Sequence, residues 1–456
     1  MTELTERLAE YGAAERTRPL PDAVRHHAKR ALIDWFATLL PGTRLAPATL
    51  LARALADETR ADGAIVYPTG KRASLRSAAL INATAAHTVE FDDIFRDAVY
   101  HPGCPVIGAA LAAAQARGAD AEALLCAITV GYEISTRIGL AVQPSHYRFW
   151  HTTGTIGTFG AAAAVASILK LEPAPFAHAL ATAATFAAGL QQAFRSDAMS
   201  KPLHPGHAAE AGALAALAAG EGVTGALDVL DGPAGFGAAM CDKADWSQAM
   251  AGLGERYNIT QMTFKNHGCC GHIFAAIDAM LALKRQYGLT PEAIRHARIG
   301  TYRVALDLTD RPQVATPFEG RFSTQFCVAS ALAHGSVRLD AYSPERLADP
   351  EVQALMPRLE MAVDPECDAA FPSRRSAVVE VETTGGKILR HAQPTRKGDP
   401  DAPLSDDELG EKFFELAVPV IGRPAADGLI AAIRALGPGA PVDFLAGTPR
   451  PALAVA

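Results

Sequence analysis

Apolar side chains recur at helical spacing through most of the first half of the chain. In residues 22–40, Val24, Ala28 and Leu32 fall on one side of a helix, and Arg25 and Lys29 fall on the other. Alanine-rich segments continue this spacing at residues 74–89, 106–117, 121–141, 161–169 and 176–190. The pattern predicts a body that is nearly all helical up to about residue 251.

The pattern changes after Thr260. Residues 297–308 and 377–383 alternate apolar and polar side chains, as half-buried strands do, and Gly385 and Gly386 form a hairpin turn before residues 387–390. Helical spacing returns at residues 405–417 and 425–436. We therefore predict a mainly α fold with an inserted α+β domain. Residues 1–262 and 395–456 form a large helical-bundle domain, and residues 263–394 form the smaller α+β domain.

A turn that carries Lys201 and His204 precedes a helix made almost wholly of small residues. Pro202 and Pro205 predict that this helix begins only at His207. Small residues let a helix pack closely against its neighbours, so we expect Lys201 to be semi-buried. A buried ammonium needs an anionic partner or a substrate carboxylate. The alternative is a surface lysine beside a helix start.

Composition narrows the function classes. The chain has 456 residues, a net charge of -7 and seven cysteines, and its pI is about 6.1. This charge favours neither nucleic acid nor an anionic membrane as a partner. We find no uninterrupted apolar run of membrane-spanning length and no signal-peptide pattern in the polar N-terminus. An odd number of scattered cysteines predicts a reducing, cytoplasmic location.

Polar side chains concentrate in loops that precede predicted helices, where exposed backbone N–H groups and the helix dipole suit a carboxylate. The candidate catalytic side chains are His101, His151, Lys201, Lys265, Cys270 and His272, and the candidate substrate-binding side chains are Asp92, Asp93, Arg96, Thr153 and His204. Lysine and arginine would hold carboxylates, and histidine, cysteine or lysine would move protons. No phosphate-binding loop, dinucleotide fingerprint or nucleophile elbow occurs in a suitable context. This inventory predicts cofactor-independent chemistry on a small polycarboxylate.

A zinc site is the competing interpretation of the cysteine-rich segment. Cys269, Cys270 and His272 are potential ligands, but adjacent cysteines are poorly spaced for one tetrahedral ion. We therefore predict no metal and regard core packing as the ordinary alternative for the two cysteines.

Several segments resemble the MmgE/PrpD family, in the right order and over nearly the whole chain. The resemblance is carried by Glu90-Phe91-Asp92-Asp93, by His101-Pro102-Gly103 and by Ser200-Lys201-Pro202-Leu203-His204-Pro205-Gly206, with further matches at His151, Lys265 and Asp364. It implies a helical domain built from both chain ends, an inserted lid and a homodimer. It also implies site residues at His101, His151, Lys201 and Lys265, with an acidic loop at Asp92 and Asp93.

The family includes 2-methylcitrate dehydratases, cis-aconitate decarboxylases and an iminodisuccinate epimerase. The segment after Lys265 reads Asn266-His267-Gly268-Cys269-Cys270, which departs from the first two branches. We therefore rank an epimerase or isomerase of an iminodisuccinate-like dicarboxylate first, with Cys270 or His272 facing His151 or Lys201 as the second acid/base group. A hydro-lyase or decarboxylase on a small polycarboxylate is the alternative. A carboxylate-binding protein without catalysis is the third hypothesis.

Overall fold

The computed structural model describes residues 4–194 and 198–448. The chain divides into two compact units. The first unit, called the helical unit here, runs to Thr263 and resumes at Asp406, and the second, the inserted unit, spans Phe264–Ser405. The structure thus places the return to the helical unit at Asp406, later in the chain than the residue 395 that the sequence predicts. The fold is mainly α with an inserted α+β part.

Helices dominate the first stretch of the helical unit, with one short antiparallel hairpin, β1 (Thr59–Val66) and β2 (Lys71–Ala73). Its helices are α1 (Leu4–Glu15), α2 (Asp22–Gly42), α3 (Ala48–Ala54), α4 (Leu75–Thr88), α5 (Gly103–Arg117), α6 (Ala121–Val142), α7 (Thr152–Ile168), α8 (Pro173–Phe186), α9 (Ser200–Gly220), α10 (Phe236–Met240) and α11 (Ser247–Met250).

The inserted unit is built on a four-stranded sheet with the order β4-β3-β5-β6. Its strands are β3 (Ile294–Thr301), β4 (Leu359–Val363), β5 (Ala377–Thr383) and β6 (Ile388–Gln393). Strand β3 is parallel to β4 and antiparallel to β5, and β5 is antiparallel to β6. Its helices are α12 (Phe274–Tyr287), α13 (Arg303–Thr309), α14 (Pro317–Arg321), α15 (Thr324–His334), α16 (Pro344–Leu347), α17 (Pro350–Leu355) and α18 (Pro365–Ala370).

The chain then returns to the helical unit with α19 (Asp406–Ile421) and α20 (Arg423–Arg434). Helix α19 packs on α2, so the C-terminal segment closes the unit against its N-terminal part. Lys412 of α19 is fully buried, and its ammonium contacts the Asp34 carboxylate at 2.6 Å and the Phe91 carbonyl at 2.8 Å.

Helix α7 is the centre of the helical unit. Every residue from Thr152 to Ile168 is buried, and α5, α6, α8 and α9 pack around it. Small residues make this possible: a Cβ added to Gly212 of α9 would lie 2.5 Å from the Thr158 carbonyl oxygen of α7. Helix α6 is long and apolar enough to cross a bilayer, but 94% of its most apolar window is buried, as in a core helix.

Two predicted helix starts were wrong. Helix α9 begins at Ser200 rather than at His207. Pro202 falls in the first turn, where the missing N–H has no acceptor within the helix, and Pro205 is tolerated inside the helix. Helix α7 likewise begins at Thr152 rather than at residue 161. Thr153 and Lys201 therefore stand in first turns of helices, and His151 directly precedes one.

Candidate active site

Three segments of the helical unit bring polar side chains together: the end of α4 with the loop after it, the start of α7 and the start of α9. The side chains involved are His87, Asp92, His101, His151, Lys201 and His204. The ring of His87 is central, because its centroid lies 5.1 Å from that of His101 and 5.6 Å from that of His151. Three of the loops predicted to carry chemistry therefore meet within one unit.

Asp92 is the acceptor at the centre of this cluster. Its Oδ2 atom lies 2.9 Å from His87 Nδ1, 3.0 Å from His101 Nδ1 and 3.1 Å from Cys104 Sγ. Burial would raise the pKa of the Asp92 carboxyl, but His87 and His101 outweigh burial and hold the pKa well below its ordinary value. A carboxylate only accepts hydrogen bonds, so it favours imidazoles with a proton on Nδ1 and a basic Nε2.

Asp93 has a different role, although it is the next residue. Its Oδ1 accepts the Gly103 N–H at 3.0 Å and its Oδ2 lies 2.8 Å from the Tyr132 hydroxyl. Burial, with Asp34 as the next contribution, raises the pKa of Asp93 well above its ordinary value. Asp93 thus fixes the start of α5 through Oδ1 and joins it to α6 through Oδ2, while its predicted contact with substrate stays a prediction.

His151 and His204 form a pair through their Nδ1 atoms, which are 2.9 Å apart. His151 is buried and His204 is half-buried. Burial is the largest cause that lowers the pKa of both rings, to about 4 for His204 and well below the ordinary value for His151. His87 and Lys201 lower them further. Both rings are therefore neutral at neutral pH.

Lys201 forms an ion pair with Glu90. Lys201 is the second residue of α9, and its side chain is 14% exposed. Glu90 has a left-handed backbone with φ of 58°, which is unusual for a residue with a side chain. The semi-buried ammonium that the sequence predicts is thus present, and a protein carboxylate contacts it in this structure.

Thr153 and Arg96 occupy supporting positions. The buried Thr153 hydroxyl accepts the backbone N–H of His101 at 3.3 Å, so it ties the acidic loop to the first turn of α7. Arg96 lies 3.2 Å from the carboxylate of Asp97 beside it. Contact of either side chain with substrate stays a prediction.

The other three candidates, Lys265, Cys270 and His272, belong to the inserted unit. Lys265 is buried, with 4% exposure, and Cys270 is partly buried. His272 Nδ1 lies 2.7 Å from the Tyr302 hydroxyl, and burial lowers the pKa of His272 to about 3. His272 is therefore a neutral ring that is hydrogen-bonded inside its own unit.

Within the ranges that the structure describes, potential metal ligands group at His87, Asp92 and Cys104, whose ligand atoms lie within 4.8 Å of one another. The competing zinc interpretation named other residues, Cys269, Cys270 and His272. Burial, followed by Asp92, raises the pKa of the Cys104 thiol well above its ordinary value, so Cys104 donates a hydrogen bond to Asp92. This donor set fits a hydrogen-bonded network better than a thiolate metal site.

Comparison with protein families identifies the chain. Residues 6–249 match the MmgE/PrpD N-terminal domain, and residues 267–437 match the MmgE/PrpD C-terminal domain. The chain belongs to the MmgE/PrpD family. Curated proteins similar to this MmgE/PrpD chain include a cis-aconitate decarboxylase-like protein, oryM, of Aspergillus oryzae. It is 27% identical over 447 residues, which cover 92% of this chain and 91% of that protein.

Two animal proteins of this family are also similar. The cis-aconitate decarboxylase of Homo sapiens is 28% identical over 376 residues, which cover 79% of this chain and 76% of that protein. That of Mus musculus is 27% identical over 378 residues, which cover 79% of this chain and 75% of that protein.

Three residues of this MmgE/PrpD site, His87, Glu90 and Cys104, receive no individual role from the sequence patterns. His87 lies in the last turn of an alanine-rich helix, where a histidine is usually a core residue. The signal that could have identified it is its position directly before the acidic loop that carries Asp92.

Proposed function

We propose that this chain is a lyase that acts on a small unsaturated polycarboxylate without a cofactor, and that it removes a carboxylate group as carbon dioxide. The curated relatives are named cis-aconitate decarboxylase or cis-aconitate decarboxylase-like protein, which supports a lyase before an epimerase. The observation that carries the proposal is the grouping of an ammonium, Lys201, with the imidazoles of His101 and His151.

Each group has a part in the proposed reaction. Lys201 binds a substrate carboxylate by charge-assisted hydrogen bonds, for which Glu90 is the stand-in in this structure. When the bond to the departing carboxylate breaks, its electron pair stays on carbon and carbon dioxide leaves. A histidine then supplies one proton to that carbon. We keep Lys265, Cys270 and His272 as further candidates from the inserted unit, and a homodimer as the proposed assembly.

A substrate panel tests the proposal. The purified protein is incubated in deuterated water with cis-aconitate, citrate and 2-methylcitrate, and carbon dioxide and the proton NMR spectrum are followed. We expect carbon dioxide with one solvent deuterium on the product carbon. Loss of water without carbon dioxide would assign the chain to the hydro-lyases, and silence across the panel would refute the proposal.

A matched pair of lysine variants tests whether the substrate binds at this site. Lys201→Ala is expected to raise KM for the acid by about tenfold or more, because it removes a charged contact worth roughly 1.5–3 kcal/mol. Lys243→Ala is the control, since Lys243 is exposed in the same unit, and it should leave KM unchanged. Equal effects of the two changes would place the substrate elsewhere.

Epimerisation of an imino- or amino-dicarboxylate is the second candidate. It is favoured by the presence of two separate imidazole arrangements, His101 with Asp92 and His151 with His204, because epimerisation needs an acid/base group on each face of one carbon. Incubating one enantiomer in deuterated water decides this point. Racemisation with deuterium at the α-carbon supports the second candidate, and retained optical purity removes it.

A further inference from the structure

The hydrogen bond between His151 and His204 can hold one proton only. A bond between two Nδ1 atoms at 2.9 Å requires that one ring carries the bridging hydrogen and the other presents its lone pair. The two rings also span a gradient of burial, since His151 is 2% exposed and His204 is half-buried. The pair therefore joins a buried ring to one that solvent reaches.

The backbone around the pair holds the rings in this orientation. The His151 N–H donates to the Gly189 carbonyl at 2.8 Å. Gly189 has φ of 140°, and a Cβ built there would lie 3.3 Å from His204 Nδ1. A Cβ at Gly154 would lie 3.1 Å from the His204 Cβ. Two glycines thus allow the main chain to pack against the His204 side chain from two sides.

We propose that His204 is a proton-relay residue that re-protonates His151 through the shared Nδ1 bond, rather than a residue that binds substrate. This inference rests on the proposed function, because decarboxylation consumes one proton per turnover. His151 donates its Nε2 proton to the substrate carbon and, in the same step, takes the Nδ1 proton of His204. In the same step His204 takes a proton from water at its own Nε2, and the hydroxide that remains combines with the released carbon dioxide as bicarbonate. After the product leaves, His151 takes up a proton at Nε2 and His204 releases one from its Nε2, which returns the pair to its starting tautomers.

The environment of His151 makes this coupling necessary. A neutral imidazole that loses its Nε2 proton alone becomes an anion, and an unpaired buried charge is strongly disfavoured. A cationic His151 is disfavoured too, because burial and the neighbouring His87, Lys201, His204 and His101 oppose it. Transfer at Nδ1 keeps His151 neutral throughout, since the ring exchanges one N–H for the other.

Three variants test the relay with cis-aconitate as substrate. His204→Ala is expected to lower kcat on the order of 10²-fold with little change in KM. Added imidazole should restore kcat in proportion to its concentration. His204→Asn can still hydrogen-bond to His151 but cannot pass a proton on, so it should remain as slow as His204→Ala. His207→Ala is the control, because His207 is exposed on the same helix, and it should be fully active and insensitive to imidazole.

The outcomes separate the two proposals. A rise in KM with unchanged kcat in His204→Ala, or full activity of His204→Asn, overturns the relay and returns His204 to substrate binding or support. A wild-type protein that converts none of the acids refutes the proposed function instead. In that case ¹⁵N NMR of histidine-labelled protein still tests whether the hydrogen bond between the two rings exists. Two Nδ1 signals should share one proton in wild type, and this shared proton should be absent in His204→Ala. Two unlinked signals in wild type overturn the relay.

Discussion

Replacing Asp92 and Asp93 separately by asparagine is the sharpest test of the site, because the two neighbours have opposite electrostatics. Asp92 is an ionised acceptor that two imidazoles and a thiol surround, and the pKa of its carboxyl lies well below its ordinary value despite burial. Burial and Asp34 raise the pKa of Asp93 well above its ordinary value, which favours the neutral form of its carboxyl. The same substitution therefore removes a charge at one position and none at the other.

The expected loss at Asp92 follows from the geometry. The Asp92→Asn variant presents an amide where His87 and His101 require a pure acceptor, so both rings lose their fixed orientation, and the His87 ring packs against His151. General acid–base catalysis contributes about 10²–10⁴-fold, so kcat in Asp92→Asn should fall by that factor. This loss corresponds to about 3–5 kcal/mol of activation free energy, at 1.36 kcal/mol for each tenfold.

Asp93→Asn should keep kcat within about threefold of wild type, which is a small change in activation free energy. An amide is close in shape to a protonated carboxyl, and it can still accept the Gly103 N–H and bond to the Tyr132 hydroxyl. The assay is kcat and KM for the acid that the substrate panel identifies, with urea unfolding of each variant as the check on folding. Comparable kcat losses in the two variants, or a nearly active Asp92→Asn, would refute the assignment of Asp92 as the orienting carboxylate.

Other expected outcomes concern the stability of the helical unit, measured by urea unfolding. Lys412→Met leaves Asp34 buried without its partner and should cost about 3–5 kcal/mol, most of which the double variant with Asp34→Asn recovers. Burial holds the pKa of His146 at about 4, so the unfolded chain binds the extra proton as pH falls from about 6.5 to 4. The free energy of unfolding should therefore fall over that window. Between pH 7 and pH 5, the fall in His146→Gln should be smaller than in wild type by roughly 2 kcal/mol. Gly212→Ala should cost about 1–3 kcal/mol by overpacking, whereas Gly428→Ala, at a helix position with open space, should be neutral or stabilising.

The helices follow from residue spacing, because local periodicity records which face of a helix is buried. The candidate side chains follow instead from residue type in the loops and from the family resemblance. The first turns of α7 and α9 do not follow in the same way. A proline such as Pro202 signals a helix break in a local pattern, yet it costs nothing in a first turn whose N–H groups have no acceptor within the helix. Where a helix begins is decided by the packing of α9 against α7, which no local pattern contains.

The role of His87 depends even more on tertiary structure. Its distance from Asp92 in the sequence indicates no contact, and the two meet only because the chain reverses at Glu90 with a left-handed backbone. The role of Glu90 is equally hidden from the sequence patterns, since the partner of Lys201 is set by that same reversal. Residue type thus identifies the chemistry that a loop offers, while backbone geometry decides which groups act together.

The acidic loop is held in a strained conformation, and the strain lies at Val99. Val99 is β-branched and has φ of 48°, a region that such residues rarely enter and that costs about 1–3 kcal/mol. Paired hydrogen bonds between Phe95 and Tyr100 enclose this turn, and Gln143 donates to the Ala98 carbonyl at 3.0 Å. Tyr100 is followed directly by His101, so the same turn sets the direction in which His101 leaves it. A relaxed turn would send His101 elsewhere, and Asp92 would lose one of the two imidazoles that keep it ionised.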